Sequence, residues 1–424
     1  MASNPSDAGD AVSARTALPA LRRTAREVFA ELQERKGLDA DWRGGRLFGL
    51  VYPTGRADID EVLVDANDAY VFENALNPQR FPSVAWMQRE VLSMVSSLVN
   101  APAGAGAGFT AGGTESILMS VLVSRERARA ERGVERANLV VPMSAHPAFA
   151  KAAFYFGLDV RTTPLTSAFT ADLSAVRDAV DERTALIVGS AYSYPHGVMD
   201  PIEELSGFAQ SKGIPFHSDT CIGAFVLPFL ERLGHEVPPY DFRLPGVTQM
   251  SCDVHKYGYS TKGASAVVYC DAAWLKHQVF DYDAWPSGRY RTASIAGARA
   301  ASPIAAAWAV MTYLGEAGYT ELMGELMTTT KALRSGIEVL EGLQILGAPI
   351  GPLVSFTSTT NDAFAIGDAM DERGWHLNRV QGPRGLHMMI SPLHGSHVEA
   401  FLDDLAGAVV APRGESADVG ATYS

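Results

Sequence analysis

Four short stretches of this 424-residue chain carry side chains with chemistry to offer. In "SCDVHKYGYSTKG", residues 251–263, His255 and Lys256 sit side by side, with Lys262 six positions further on. A lysine withdrawn from water loses its proton more readily and can attack an aldehyde to form a Schiff base. Taken alone, Lys256 reads as a solvated surface charge. "GIPFHSDTCIGAF" puts Asp219 at the end of an apolar strand, where a carboxylate can keep a cofactor's pyridine nitrogen protonated. Taken alone, that Asp reads as the cap of the next helix. His146 follows the strand-like "ANLVVPMSA". In "GAGAGFTAGGTES", Gly112, Gly113 and Thr114 would offer backbone N–H groups at a helix start, where phosphate is favoured. Gly106, Gly108 and Ala111 also match the loose pattern G-x-G-x-x-A. The preceding "VAWMQREVLSMVSSLVN" reads as a helix rather than a strand, so the dinucleotide context fails. The stretch is a phosphate cradle or an ordinary helix-starting turn.

The elements that must position these residues alternate. Short apolar strands ("ANLVVPMS", "TALIVGSA", "GIPFHSD", "GASAVVYC") are separated by helical stretches ("AHPAFAKAAFYFG", "DLSAVRDAVDER", "PIEELSGFAQSKG"). That pattern predicts an α/β fold with a mostly parallel sheet flanked by helices. Ligands in such folds bind beyond the carboxyl ends of the strands. His146, Asp219 and Lys256 all fall at such ends. In chain order, a glycine-rich helix start, an imidazole, an aspartate and a lysine are the parts of a pyridoxal 5'-phosphate site. The expected division is an N-terminal helical segment (1–70), a large α/β domain (71–300) and a smaller C-terminal α+β domain (301–424). "ALPALRRTAREVFAELQERKG" reads as an amphipathic helix closed by Gly37, "APAGAGAG" as a short loop, and both chain ends as disordered.

Composition excludes several classes. A net charge of −13 argues against a nucleic-acid surface, which needs clustered Lys and Arg. Three cysteines without a CxxC pair argue against a disulfide framework, and Cys221 and Cys252 read as small packing residues. The N-terminus lacks the apolar core of a signal peptide, and no run approaches the roughly 18 apolar residues of a membrane span. The expectation is a soluble cytoplasmic protein. His394 and His397 lack acidic neighbours, so no metal is expected. "SRERARAERGVER" reads as a solvated helix face.

Longer motifs now carry a resemblance. "FTAGGTES", "AYSYPHGVMDPIEEL", "FHSDTCIGAFVLPF", "YDFRLPGVTQMSCDVHKYGYSTKGAS" and "IAGARA" closely resemble the sphingosine-1-phosphate lyase family. That family lies in the group II decarboxylase branch of fold-type I pyridoxal phosphate enzymes. The likeness runs from "GRLFGLVY" to "LHMMISPLHGSHVEAFLDDL", and the chain is similar to the soluble bacterial type. It implies Lys256 as the Schiff-base lysine, Asp219 as the pyridine partner and His146 on the cofactor ring. Gly112, Gly113, Thr114, His255 and Gly297 would bind the cofactor, chiefly its phosphate. Lys262 and Tyr52 would handle protons and substrate, and Asn77, Tyr290 and Arg299 would lie on the substrate side. Homodimers with shared sites are implied, with "IAGAR" reaching the neighbouring cofactor.

The chain also departs from the family. "NALNPQRFP" stands where the family commonly has "NPLHPDIFP", placing Asn77 at a phosphate-binding histidine. Ala298 replaces a serine, and Thr220 an alanine. The activity implied is retro-aldol cleavage of a phosphorylated 2-amino-3-hydroxy amine to an aldehyde and phosphoethanolamine. An L-amino-acid decarboxylase is the alternative, since Asn77 leaves room for an unphosphorylated substrate. A catalytically silent binding protein on this fold is the distant one.

Overall fold

The structure, a computed structural model, describes residues 18–410, 414 and 416. Residues 1–14 and most of the tail "GESADVGATYS", which the sequence reads as disordered, lie outside the described residues. The chain opens with α1 (Ala25–Lys36), where Thr24 and Glu27 form a reciprocal capping box and Gly37 ends the helix. Next come α2 (Ala57–Ala69), a helix the sequence did not signal, and α3 (Pro82–Leu98), which begins on a proline as helices tolerate at their first turn.

A seven-stranded sheet follows. Its strands are β1 (Gly106–Thr110), β2 (Asn138–Pro142), β3 (Asp159–Thr163), β4 (Thr184–Ser190), β5 (Phe216–Asp219), β6 (Gln249–Asp253) and β7 (Ser265–Tyr269). The helices between them are α4 (Gly113–Arg132), α5 (Ala148–Phe156), α6 (Leu173–Ala179), α7 (Ile202–Ser211) and α8 (Leu227–Arg232). The strand order is β1-β7-β6-β5-β4-β2-β3, and only β7 runs against its neighbours. Strands β2, β4, β6 and β7 are buried along their whole length, as in sheets covered on both faces.

One expectation is corrected here. "APAGAGAG" is not simply a loop, because its second half enters β1. Glycine fits there because other atoms approach closely. A Cβ on Gly106 would lie 2.7 Å from the Ala272 Cα, and one on Gly108 2.7 Å from the Gln278 amide. The two glycines of the loose dinucleotide pattern are therefore strand residues, not phosphate contacts.

A small exposed hairpin, β8 (Phe280–Tyr282) and β9 (Tyr290–Thr292), precedes α9 (Ser302–Glu338). That long helix breaks at Gly315, whose φ of 54° and ψ of −170° are non-helical. It packs on α2 and α3 and leads to a second sheet. β10 (Leu343–Ile345), β11 (Leu353–Ser358), β12 (Asn378–Gln381) and β13 (Arg384–Met389) form it in the antiparallel order β10-β11-β13-β12. Helices α10 (Ala363–Asp371) and α11 (Val398–Val410) accompany that sheet.

The N-terminal segment is sewn into this second unit. Leu47 bridges His376, and the Phe48 ring stacks on His394 at 4.1 Å and packs on Phe401 at 4.9 Å. His394 is thus a packed core histidine, with its Nδ1 accepting the Ser391 N–H. This stitching carries Tyr52 toward the large sheet. None of the described helices is long and apolar enough to cross a membrane.

Candidate active site

Strands β5 and β6 lie parallel, pairing His217 with Gln249 and Asp219 with Ser251. β6 ends at Asp253, and a turn brings the chain back so that Lys256 Nζ lies 2.9 Å from Asp253 Oδ2. The turn is pinned from the other side, where the His255 N–H donates to the Ala264 carbonyl at 3.0 Å and the His255 Nδ1 accepts the Ala264 N–H at 3.3 Å. Burial by itself would push the Lys256 ammonium down. The Asp253 carboxylate, with Tyr52 and Cys221, overcomes it and holds the group well above the ordinary lysine value. Burial would likewise raise Asp253, but Lys256 and His255 keep it below the usual carboxylate range. Both shifts describe one buried ion pair.

The pair faces a cavity of about 560 Å³ walled by Gly112, Gly113, Thr114, His146, His255 and Lys256, with Asp253, Cys221, Lys151, Ile295 and Ala296 also on its surface. α4 starts on this wall with no side-chain cap on its first N–H groups, which leaves those donors for an anion. Glycine is required here, since a Cβ on Gly113 would sit 2.7 Å from both Asp253 Oδ2 and Cys221 Sγ. His146 accepts the Ala148 N–H on Nδ1 at 3.1 Å, which leaves Nε2 to carry the ring proton. Burial lowers its pKa, and burial pushes that of His255 down to about 4, so both rings are neutral at pH 7.

Asp219 ends β5 beside this wall. Its Oδ1 accepts the Ser251 hydroxyl at 2.8 Å and the Cys221 N–H at 3.0 Å, while Oδ2 takes no donor among the described residues. The structure places Gly112–Thr114, His146, His255 and Lys256 on one cavity, with Asp219 behind Cys221 at its edge.

The remaining candidates stand apart from that cavity. Lys262 Nζ lies 4.7 Å from the Tyr52 ring centroid, and Tyr52 packs edge-on against Tyr257 with its hydroxyl 3.6 Å from Met389 Sδ. Burial, then the Lys256 charge, lowers the Lys262 pKa to about 8. Tyr290 on β9 places its hydroxyl 2.6 Å from where a Gly297 Cβ would be. Arg299 donates to the Phe109 carbonyl at 3.2 Å and to Gln88 Oε1 at 3.1 Å, so its guanidinium ties β1 to α3. Asn77 is exposed, and its Oδ1 accepts the Gln79 and Arg80 N–H groups to shape the turn before α3. Thr220 donates its hydroxyl to the Ser251 carbonyl at 2.8 Å. The segment "IAGAR" puts Ile295 and Ala296 on the cavity of its own chain, and Glu115 holds it there by accepting the Ile295 N–H at 2.9 Å.

Asp253, Ser251 and Glu115 are site residues that the sequence reading missed. Ser251 and Asp253 alternate on one strand and so share a face, but that pattern does not show that the following turn returns Lys256 to Asp253.

These residues fit a pyridoxal phosphate. A half-buried lysine stands over the cavity, an aspartate oxygen is left without a donor among the described residues, and Asp253 Oδ1 is a buried acceptor without a partner. An uncapped helix start closes the other end.

The comparisons agree. The pyridoxal-dependent decarboxylase conserved domain matches residues 51–359. A sphingosine-1-phosphate lyase of Arabidopsis thaliana is 39% identical over 391 residues, 90% of this chain and 72% of that protein. The rat sphingosine-1-phosphate lyase 1 is 37% identical over 96% of this chain and 72% of its own length. The solved sphingosine-1-phosphate lyase of Burkholderia pseudomallei superposes with a TM-score of 0.90 at 37% identity, covering 93% of each chain. A glutamate decarboxylase of Lactobacillus brevis shares the fold, at TM-score 0.82 and 21% identity over 93% of this chain and 94% of its own. With this cavity, this lysine and these relatives, the chain belongs to the sphingosine-1-phosphate lyase family of fold-type I pyridoxal-dependent enzymes and is a pyridoxal phosphate-dependent lyase.

Proposed function

We propose that this lyase cleaves the Cα–Cβ bond of a sphingoid base 1-phosphate or a close analogue, giving a long-chain aldehyde and phosphoethanolamine. The reading is supported by the relatives named above and by one observation in particular. A second lysine, Lys262, solvent-exposed yet with its pKa lowered to about 8, sits on the Tyr52 ring near Lys256. A decarboxylation needs no base at a 3-hydroxyl; a retro-aldol cleavage does.

Pyridoxal phosphate, when bound, supplies a cationic ring that takes up the electron pair left by the broken bond. Lys256 would hold the aldehyde of that group, with Asp253 paired to its amine. Asp219 Oδ2 would hold the ring nitrogen, His146 would lie against the ring, and the N–H groups of Gly112–Thr114 with His255 would hold the phosphate. Gly297 would bind it from the loop that puts Ile295 and Ala296 on the cavity.

Lys262, with Tyr52, removes the proton of the substrate 3-hydroxyl. The C–O bond becomes a carbonyl, the Cα–Cβ bond breaks, and the aldehyde leaves. Its electron pair stays on Cα, which then takes a proton. Lys256 is the better acid for that step, because His255 is neutral at pH 7. Tyr290, Arg299 and Asn77 belong to the surrounding substrate side, and two copies of the chain form a homodimer that shares its sites. Light scattering at twice 45.3 kDa supports the dimer, and a single-chain mass counts against it.

The test of the activity is product identity. The cofactor-loaded protein is incubated with sphingosine 1-phosphate and, separately, with free amino acids. Aldehyde with phosphoethanolamine supports the reading, whereas carbon dioxide from an amino acid without any aldehyde overturns it.

A further inference from the structure

Behind Asp219 runs a buried chain of polar side chains that the reaction above does not use. Ser251 Oγ donates to Asp219 Oδ1 at 2.8 Å, and His217 Nε2 lies 2.9 Å from Ser251 Oγ. On the other edge of the ring, His217 Nδ1 lies 2.7 Å from Ser120 Oγ. Ser120 in turn meets one end of the Gln249 amide at 2.9 Å, and the other end meets Ser124 Oγ at 2.6 Å. His217, Ser120, Ser124, Gln249 and Ser251 are all fully buried, and the Phe149 ring packs edge-on against His217 at 5.3 Å. A polar group buried this deeply is costly unless bonded, and both nitrogens of His217 are.

The direction of the protons follows from a count of donors. Asp219 can only accept as a carboxylate, so the Ser251 proton points at it, and Ser251 must accept from His217 Nε2–H. Burial pushes the His217 pKa down to about 4, so the ring is neutral and Nδ1 must accept. Ser120 therefore spends its single proton on His217, which requires the Gln249 amide to turn its nitrogen to Ser120 and its oxygen to Ser124, and the Ser124 hydroxyl to leave the Ser120 carbonyl 2.9 Å away. The two ends of an amide are interchangeable by rotation, and the network decides which faces where. Every donor in the chain then points toward Asp219, which polarises each bond in the same sense.

We propose that His217 is a positioning residue for the cofactor: through Ser251 it fixes the Asp219 carboxyl, with Oδ1 occupied and Oδ2 left for the ring nitrogen. This rests on the reading of Asp219 as the ring-nitrogen partner. A purely structural relay would fill space and support the strands without affecting the protonation of the bound ring.

The experiment uses the holoenzyme reconstituted with pyridoxal phosphate labelled with 15N in the ring, read by the nitrogen's NMR shift, alongside the cofactor Kd from equilibrium dialysis. In the unmodified protein the ring nitrogen has the protonated shift. His217→Leu and Ser251→Ala move it toward the unprotonated value and raise the Kd about tenfold, the worth of one hydrogen bond to a charged group. His217→Gln, whose amide can still donate to Ser251 and accept from Ser120, restores most of both. If His217→Leu fails to fold, Ser251→Ala carries the test. An unchanged shift and Kd in the folded variants overturn the proposal, as does a loss in His217→Gln equal to that in His217→Leu. If the unmodified protein itself shows an unprotonated ring nitrogen, the reading of Asp219 fails first, and that failure is distinct from one confined to the variants.

Discussion

Lys256 Nζ and Asp253 Oδ2 form an ion pair of 2.9 Å on the wall of the cavity, three residues apart across the turn that ends β6. The carboxylate keeps the lysine charged, yet a lysine must be neutral to attack an aldehyde. Asp253→Asn removes the opposing charge and leaves burial to push the lysine down. The midpoint pH for forming a borohydride-reducible link to pyridoxal phosphate should then fall by at least about one unit. An unchanged midpoint contradicts the account of the pair.

The same pair has a stability consequence with a definite sign. Lys256 is raised above the ordinary 10.5, so its contribution is fully present below that value and is lost only as pH rises through the raised pKa. At neutral pH the apo form of Asp253→Asn should therefore be less stable, by about 3 kcal/mol as for one partner lost from a buried pair. Urea unfolding at pH 7 measures it, and no loss of stability contradicts it.

Lys262 sets a pH limb. A general base works deprotonated, so activity should rise with pH through about 8. Lys262→Arg stays charged at every accessible pH. It should lower kcat by about 10²–10⁴ and abolish that limb while leaving cofactor binding in place. Rates measured from acid to alkaline pH test this, and a limb surviving in the arginine protein assigns it elsewhere.

Gly113 should tolerate no side chain. A methyl group there meets Asp253 and Cys221 at 2.7 Å, which forces the turn away from the ion pair. Gly113→Ala should raise the cofactor Kd about tenfold or more, with a stability cost of about 1–3 kcal/mol typical of overpacking. Fluorescence titration of the apo protein with pyridoxal phosphate reads the first effect, and wild-type affinity would contradict it.

Much of this site was legible because strand ends in an alternating α/β chain converge. Lys256, Asp219 and His146 could be placed on that ground before any geometry was known. Asp253 was not, because an acid inside a strand-like run gives no sign that the next turn will fold a lysine back onto it. His217 gives no clearer sign, though "FHSD" puts it two residues before Asp219 and so on the same strand face. Gly106 and Gly108 were read by propensity, which disfavours glycine in strands, while the close approach of Ala272 and Gln278 decided otherwise. The likeness to known lyases named Asn77 and Arg299 as substrate-side residues. Within one chain they serve a turn and a tie between β1 and α3.

The account turns on which lysine carries the cofactor. Reducing the pyridoxal phosphate-loaded protein with borohydride fixes the link, and peptide mapping by mass then locates the pyridoxyl group. The account predicts that the label lies on Lys256, and that Lys256→Ala loses both label and activity. A label on Lys262, or one retained in full by Lys256→Ala, would contradict it.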